Sequence, residues 1–472
     1  MKSGNPLSAV NGTELHQSDW LGSEPYFYNA AAGLHGPTIQ DATAPTNFAF
    51  DDLGLSLYLA FGYSVFGTTP VKNVKFVPAH SKLIRDNSGS LSVAAGADPL
   101  ADLDYGAASP RQVMERFRSI VEIWAKKQDS LIVVPLSGGI DSRLILWAMP
   151  RQANVLAVTY GTSPRQWDSS EVTAAREVAS RLGFPWRRIE LQQFHEHLPT
   201  WYRLYGCATH SHGMYHLAFY EALKTHLGGT EATVVSGLLG DVWAGSTPLV
   251  RIHRPLDLVK LGFTHGLHAE PSAFRRSVDL AEALMPVYSL HRQSLQSHER
   301  QTIFLSRTKI MLLSYLLRVP KSLGFRVWSP FLDLSLVRSM LELPREARIG
   351  RRWQFDFLEE NHLSSASAHP WKTYPVSLNS LDYLDASKFG LPPLDEGLLS
   401  QLFEREYLTW ITNRTQSIAL RERLAHLNFV PDGIRKGLWK LTPRSRDFEA
   451  AYAAYLCLYP LAQAMRPPWP GS

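Results

Sequence analysis

The spacing of apolar residues divides the chain into three regions. Between residues 111 and 384, short apolar runs alternate with segments whose apolar residues recur every three or four positions. That alternation is typical of strands followed by helices. Four of the runs, at 131–136, 155–160, 186–191 and 232–235, predict buried strands. An α/β fold with a doubly wound parallel sheet follows, and such sheets bind ligands at the carboxyl ends of their strands.

The two flanking regions have other patterns. Residues 1–110 contain short apolar segments between Gly, Pro, Asn and Asp turns, which predicts a small β-rich domain. Within it, the segment 55–61 fits either a strand or a helix. Residues 385–472 show apolar spacings of three and four, with helices expected at 398–411, 417–427 and 447–465. The sequence therefore predicts a helical C-terminal portion.

Composition and charge are those of a soluble globular protein. Of the 472 residues, 45% are hydrophobic and 19% are charged, and the formal net charge is +5. The basic residues are scattered rather than clustered, so a nucleic-acid partner is not expected. Two cysteines in no metal-binding spacing argue against a disulfide framework or a zinc site. Without a signal peptide or a membrane span in the sequence, a cytoplasmic location is expected.

The first candidate site is the turn between the first predicted strand and its helix. Gly138 and Gly139 allow a ligand to approach the backbone closely, and the N–H groups at the start of the helix attract anions. Ser137 and Ser142 add hydroxyl groups. Asp141 is negatively charged, unlike the rest of this anion-attracting loop. A carboxylate beside a phosphate calls for a bridging cation such as Mg²⁺. The alternative is a Ser-Gly turn capped by Asp141 that binds nothing.

A second loop repeats this chemistry after the fourth predicted strand. Ser236 and Gly237 follow the strand directly, and Gly240 and Asp241 come next. Because both loops follow strands of one parallel sheet, Asp241 is expected to complete a Mg²⁺ site with Asp141. The alternative is a glycine-rich turn in which Asp241 only caps the following segment.

These motifs resemble a known family. The first loop is similar to the Ser-Gly-Gly-x-Asp-Ser signature of the PP-loop ATP pyrophosphatases, in which it holds the pyrophosphate of ATP. The second loop, about 95 residues later, and the segment from Phe325 to Asp333 resemble the synthetase domain of glutamine-dependent asparagine synthetases. The resemblance covers roughly residues 111–380. It implies the PP-loop fold, ATP and Mg²⁺ as cofactors, and adenylation of a carboxylate with release of pyrophosphate.

The resemblance also implies roles for individual residues. Asp141 and Asp241 would bind Mg²⁺. The family lysine that stabilises the transition states is best matched by Lys372, and Arg351 and Arg352 stand where a phosphate-binding lysine precedes it. We assign catalytic roles to Lys372 and Arg352, with solvent-exposed charges as the alternative. The residues expected to bind the nucleotide are Leu136, Ser137, Gly138, Gly139, Asp141, Ser142, Val158, Tyr160, Ser236 and Gly237.

The N-terminal region departs from the family. Residues 18–28 and 61–78 resemble the second half of the family's glutaminase domain, an Ntn hydrolase whose nucleophile is an N-terminal cysteine. Here Lys2 occupies the second position, and no cysteine precedes Cys207. We therefore expect a truncated, inactive glutaminase-like domain, as in β-lactam synthetases and lasso-peptide cyclases. The amine would come from free ammonia, a separate glutaminase, or a substrate, which leaves room for a peptide-processing partner.

A second departure concerns the general base. Asparagine synthetases carry Glu, and β-lactam synthetases Tyr, at the position occupied here by Leu238, which cannot accept a proton. A neutral histidine would serve instead. We single out His212 from three histidines just upstream of the fourth strand; the alternative is that each has a packing or surface role, as most such histidines do. The other candidates are His210, His216, Tyr202, Tyr205 and Tyr215.

The sequence thus predicts an ATP- and Mg²⁺-dependent amide-forming ligase with three parts, at 1–110, 111–384 and 385–472. Its carboxylate substrate is a small molecule, a saccharide or a peptide, and both intermolecular transfer and ring closure remain open. The alternative is a non-catalytic, nucleotide-binding scaffold or partner subunit, which is suggested by the leucine at position 238 and by the incomplete glutaminase-like region. Adenylation for thiolation is disfavoured because there is no catalytic cysteine pair.

Overall fold

A computed structural model describes most of the chain. It covers residues 12–44, 48–137, 139–161, 166–262, 268–363, 385–386, 389–416 and 443–466, with only the backbone of Asp168, Ser170 and 443–447. Its strands are β1 (Gly12–Gln17), β2 (Phe27–Asn29), β3 (Leu34–Gly36), β4 (Lys75–Phe76), β5 (Ser81–Asp86), β6 (Leu91–Ala95), β7 (Leu131–Pro135), β8 (Val155–Thr159), β9 (Trp186–Arg188), β10 (Ala232–Val235) and β11 (Arg326–Trp328).

The helices lie mainly between and after the strands of the central sheet. They are α1 (Asp52–Phe61), α2 (Pro110–Ala125), α3 (Ile140–Ala148), α4 (Ser170–Leu182), α5 (Leu198–Tyr205), α6 (Met214–Leu227), α7 (Gly240–Ala244), α8 (Asp257–Gly262), α9 (Leu280–His291), α10 (His298–Leu313), α11 (Tyr315–Ser322), α12 (Leu334–Leu341), α13 (Arg345–Arg348), α14 (Arg352–Glu360), α15 (Glu396–Leu399), α16 (Arg405–Gln416) and α17 (Pro443–Ala464).

The central sheet has five strands, all parallel, in the order β11-β10-β7-β8-β9. This confirms the predicted α/β core. The chain runs outward from β7 through β8 to β9 and then returns to the other side of β7 with β10. The strand order therefore reverses between β7 and β10, and a crevice for ligands opens at such a switch point. The two loops predicted to bind nucleotide directly follow β7 and β10.

Local signals fix the helices next to the sheet. Ser109 and Gln112 form a capping box that starts α2, and Gly183, at φ 69°, ends α4 in the left-handed conformation. The predicted bounds of α4 are reproduced, whereas the strand expected at 186–191 ends at Arg188. Separate hydrophobic clusters cover the two faces of the sheet.

The N-terminal region contains two antiparallel sheets of three strands each, β1-β5-β6 and β3-β2-β4. The ambiguous segment 55–61 is helical and lies within α1. Every residue from Gly54 to Phe61 is buried, so the helix shows no amphipathic period, which is why its sequence also fits a strand. The Tyr58 hydroxyl donates to the Cys457 carbonyl oxygen at 2.9 Å and ties α1 to α17.

The C-terminal portion is helical where the structure describes it. The single helix expected at 398–411 is wrong: α15 and α16 are separated at Phe403, which bridges to Phe274 and is fully buried. The helix expected at 447–465 corresponds to α17, and the one at 417–427 lies outside the described residues. None of the helices in the described ranges is both long and apolar enough to cross a membrane.

Candidate functional site

The site is built at the carboxyl ends of β7, β8 and β10. The Leu136 N–H donates to the Val158 carbonyl oxygen at 2.8 Å, and its own carbonyl accepts the Thr159 hydroxyl at 2.6 Å. On the other side, the Ser236 N–H donates to the Trp328 carbonyl oxygen at 2.7 Å. Sheet hydrogen bonds thus continue past the strand ends and fix where both loops begin.

Two hydroxyl groups shape the first loop. Ser142 Oγ accepts the Ser137 N–H at 3.1 Å and lies 3.2 Å from Ser137 Oγ. Ser137 Oγ in turn accepts the Gly139 N–H at 3.1 Å. Gly139 precedes α3, and no side chain of the described residues caps this helix, so the N–H groups of its first turn are available to an anionic ligand. Gly138, also predicted to bind nucleotide, lies outside the described residues.

Asp141, in the first turn of α3, packs against the second loop. A Cβ atom on Gly240 would lie 2.8 Å from Asp141 Cγ and 2.7 Å from the ring of Phe331, so only glycine permits this approach. Asp241, the next residue, accepts the Ser246 hydroxyl at Oδ2, 2.9 Å away. The structure therefore brings Asp141 and Asp241 to one place, as predicted from the two loops.

The electrostatics of Asp141 reflect this pairing. Burial is the main cause that raises the pKa of Asp141 to about 7, and the negative charge of Asp241 raises it further. Arg351 opposes the shift, as do the Asp241 backbone N–H and the Gln354 side chain. The pair therefore carries its full negative charge at some energetic cost, which a cation between the carboxylates would offset.

The donor set fits Mg²⁺ bound together with nucleotide phosphates. Within the described ranges, no group of three or more His, Cys, Asp or Glu side chains could enclose a metal ion. Mg²⁺, however, is commonly held by one or two carboxylates plus phosphates and water. Asp141 Oδ1 is buried without a hydrogen-bond partner and is thus available as a ligand.

The cations near this pair differ from those expected. Arg351, in the left-handed conformation at φ 60°, is the arginine whose charge lowers the pKa of Asp141. Arg352 begins α14, its side chain is 75% exposed, and its Nε lies 3.9 Å from an Asp356 oxygen. Lys372 lies outside the described residues. The catalytic roles of Arg352 and Lys372 stay predictions.

Lys309, on α10, is a site residue that the motifs missed. Burial lowers the pKa of Lys309, and the charge of Asp241 opposes that shift. Lys309 thus sits close enough to the carboxylate pair to balance its charge. The available signal was a single lysine among the apolar residues that precede α11, which no loop motif indicated.

Replacing each arginine by methionine should separate their roles. We expect Arg351→Met to weaken the binding of MgATP about tenfold, because its charge acts on the carboxylate pair. Arg352→Met should change it less than twofold, since the Arg352 side chain is solvated. Isothermal titration calorimetry with a non-hydrolysable ATP analogue measures both. Equal effects of the two changes would contradict this assignment.

The side wall of the crevice is aromatic. Val158 is fully buried, and its carbonyl is engaged by Leu136. The Tyr160 ring packs 5.0 Å from Phe219 and 6.1 Å from His216, measured between centroids. Burial raises the pKa of Tyr160 well above its ordinary value, so its phenol is neutral. The contacts of Val158 and Tyr160 with the nucleotide stay predictions.

The three histidines form part of this aromatic cluster. Burial lowers the pKa of His210 to about 4 and that of His216 to about 3, so both are neutral near pH 7. His210 Nδ1 lies 2.7 Å from the Gly62 carbonyl oxygen, at the end of α1. His212 is partly exposed, with its ring 5.2 Å from that of Tyr315, and its role as a base stays a prediction. Leu238 is fully buried, so this position presents no side chain to the crevice.

His216→Phe should stabilise the protein most in acid. A histidine whose pKa is lowered on folding stays neutral in the native state, whereas the unfolded chain binds a proton below about pH 6.5. The wild type therefore loses stability as the pH falls, and phenylalanine removes that loss. We expect a gain at pH 5 that exceeds the gain at pH 7.5 by roughly 2 kcal/mol. Urea unfolding at both pH values measures it, and a pH-independent difference would contradict the prediction.

Comparison with known proteins gives a match to one family. The sequence model of the family described as asparagine synthase matches residues 113–354, about half of the chain. That range contains both loops and all five strands of the parallel sheet. Comparison with curated proteins finds no match.

Proposed function

The chain belongs to the asparagine synthase family of ATP-using amide-forming ligases, and we propose that it adenylates a carboxylate and transfers the acyl group to an amine. The observation that carries the proposal is the meeting of Asp141 and Asp241 beside the uncapped start of α3. A negative pair next to open N–H groups suits a cation and a phosphate chain together.

The proposed reaction has two steps. A carboxylate oxygen of the substrate attacks the α-phosphorus of ATP, and the bond to the β-phosphate oxygen breaks, with its electron pair leaving on pyrophosphate. An amine then attacks the activated carbonyl carbon, loses a proton, and displaces AMP. Mg²⁺, held by Asp141 and Asp241, would neutralise charge on the phosphates.

The chain's own groups would act on the developing charge. The N–H groups at the start of α3 and the hydroxyls of Ser137 and Ser142 are placed to bind pyrophosphate. Arg351 and Lys309 add positive charge near the carboxylate pair. Lys372 and Arg352 remain proposed catalytic cations. His212 remains the proposed base, because the position of Leu238 is closed to the crevice.

The proposal extends to substrates and location. We propose that residues 1–110 form a truncated glutaminase-like domain without hydrolase activity, so the amine comes from another source. The carboxylate is a small molecule, a saccharide or a peptide, and a separate glutaminase or a peptide-processing protein would be a natural partner. The protein would act in a biosynthetic pathway in the cytoplasm.

The test is pyrophosphate release from MgATP with hydroxylamine as a surrogate amine and a panel of carboxylates. Release that depends on a carboxylate and is lost in Asp141→Ala supports the ligase. If ATP binds but no pyrophosphate is released with amino acids, uronic acids or peptides, the ligase is contradicted and the non-catalytic scaffold is favoured. A non-catalytic scaffold needs no general base, which would account for the buried leucine at position 238.

A further inference from the structure

Gln354 is a fully buried residue of α14 with an unusual environment. Neither its amide nitrogen nor its amide oxygen has a hydrogen-bond partner among the described residues. The preceding residue, Trp353, is anchored through its indole N–H, which donates to the Ala244 carbonyl oxygen at 3.1 Å. Packing of α14 thus holds the Gln354 side chain in place although its amide is unsatisfied.

The Asp141 carboxyl group is a neighbour of the Gln354 side chain. The Gln354 side chain lies close enough to the Asp141 carboxylate to favour its charged form, although no hydrogen bond joins the two groups. Asp141 Oδ1 is likewise buried and lacks a partner. Two buried groups without hydrogen-bond partners, a carboxylate oxygen and an amide that can donate to it, therefore lie near each other.

Leaving these groups unpaired is costly. A buried amide without a partner loses its hydrogen bonds to water and gains nothing in return. A leucine or methionine would fill a similar volume at this fully buried position without that cost. The amide gains a partner when the Asp141 carboxylate turns toward it, which is compatible with a charged, cation-bound Asp141.

We propose that Gln354 is a positioning residue whose amide N–H donates to Asp141 and fixes the rotation of its carboxylate for cation binding beside Asp241. This inference rests on the proposed function and adds the residue that orients one of its two metal ligands. Groups that hydrogen-bond metal-ligating carboxylates typically change metal affinity by 10- to 100-fold when removed.

The experiment measures cation binding directly. Mn²⁺ binding to the full-length protein, with a non-hydrolysable ATP analogue present, is followed by electron paramagnetic resonance for the wild type, Gln354→Met and Gln354→Leu. We expect both variants to bind Mn²⁺ at least tenfold more weakly. Their melting temperatures without the cation should equal or exceed that of the wild type, since an unsatisfied amide has been removed.

Gln301→Leu is the matched control. Gln301 is also buried, but its amide is satisfied, with Nε2 donating to the carbonyl oxygens of Val250 and Leu295 at 2.5 and 2.7 Å. We expect Gln301→Leu to lower the melting temperature and leave the Mn²⁺ affinity of the folded protein unchanged.

The outcomes separate the two proposals. Wild-type Mn²⁺ affinity in both Gln354 variants would overturn the positioning role while leaving the proposed function intact. A lowered melting temperature with unchanged Mn²⁺ affinity would overturn it as well and assign Gln354 to structure. If the wild type binds neither Mn²⁺ nor the analogue, the proposed function fails and this inference fails with it.

Discussion

Asp141→Asn should lower pyrophosphate release by about three orders of magnitude with any carboxylate that supports it. The change removes one of the two negative charges that would hold Mg²⁺ against the phosphates and keeps the size of the side chain. The measurement is the initial rate at saturating MgATP. Asp279→Asn, at the exposed start of α9, is the control and should retain the wild-type rate, because Asp279 caps a helix that contributes no residue to either loop.

Asp141→Asn should also increase the stability of the protein, although it lowers the reaction rate. Folding raises the pKa of Asp141 to about 7, so the native state resists its ionisation. Below about pH 3 Asp141 is protonated in both the native and the unfolded state, and its burial costs no ionisation energy. The cost of ionising Asp141 in the native state grows as the pH rises and is complete above pH 7, where it amounts to roughly 4 kcal/mol.

We therefore expect Asp141→Asn to be more stable than the wild type at pH 8 without Mg²⁺, with the advantage disappearing toward pH 4. Unfolding by urea at both pH values measures this. A variant that is inactive and also less stable at pH 8 would mean that Asp141 supports the fold rather than the site. A variant with wild-type activity would remove the basis of the proposed function.

Lys309→Met should reduce the turnover rate about 100-fold while the protein stays folded. Burial already lowers the pKa of Lys309, so methionine, of similar length, removes a charge that the fold does not favour. What is lost is the positive charge that balances Asp241 and the phosphates. The rate and the melting temperature are measured together.

Two further variants sharpen the Lys309 test. Lys309→Arg keeps the charge in another shape and should retain more activity than Lys309→Met. Lys321→Met removes an exposed lysine that pairs with Glu24 and should leave the rate unchanged. A wild-type rate in Lys309→Met would show that the charge near Asp241 plays no part in catalysis.

Gly240 shows why two loops that are far apart in the sequence form one site. Its lack of a side chain allows α7 to begin directly against Asp141 and Phe331. Gly-Asp in the second loop was readable as a motif, but the contact that requires the glycine was not. Motifs therefore predicted the members of the site, and packing determined how closely they approach.

The sequence by itself determined the α/β core, the two loops after β7 and β10, and the resemblance that the family match confirmed. These features depend on short-range patterns, namely apolar runs, helical periods and residue types next to strand ends. They did not require knowledge of which distant segments meet.

Only the tertiary structure decided the environment of these residues. It showed that Arg351 acts on Asp141, that Lys309 and Gln354 join the site, and that His210 and His216 are neutral. The physical reason is that charge, burial and hydrogen bonding at one point are sums over helices remote in sequence. A sequence pattern records each residue, whereas the pKa of Asp141 depends on everything that the fold packs around it.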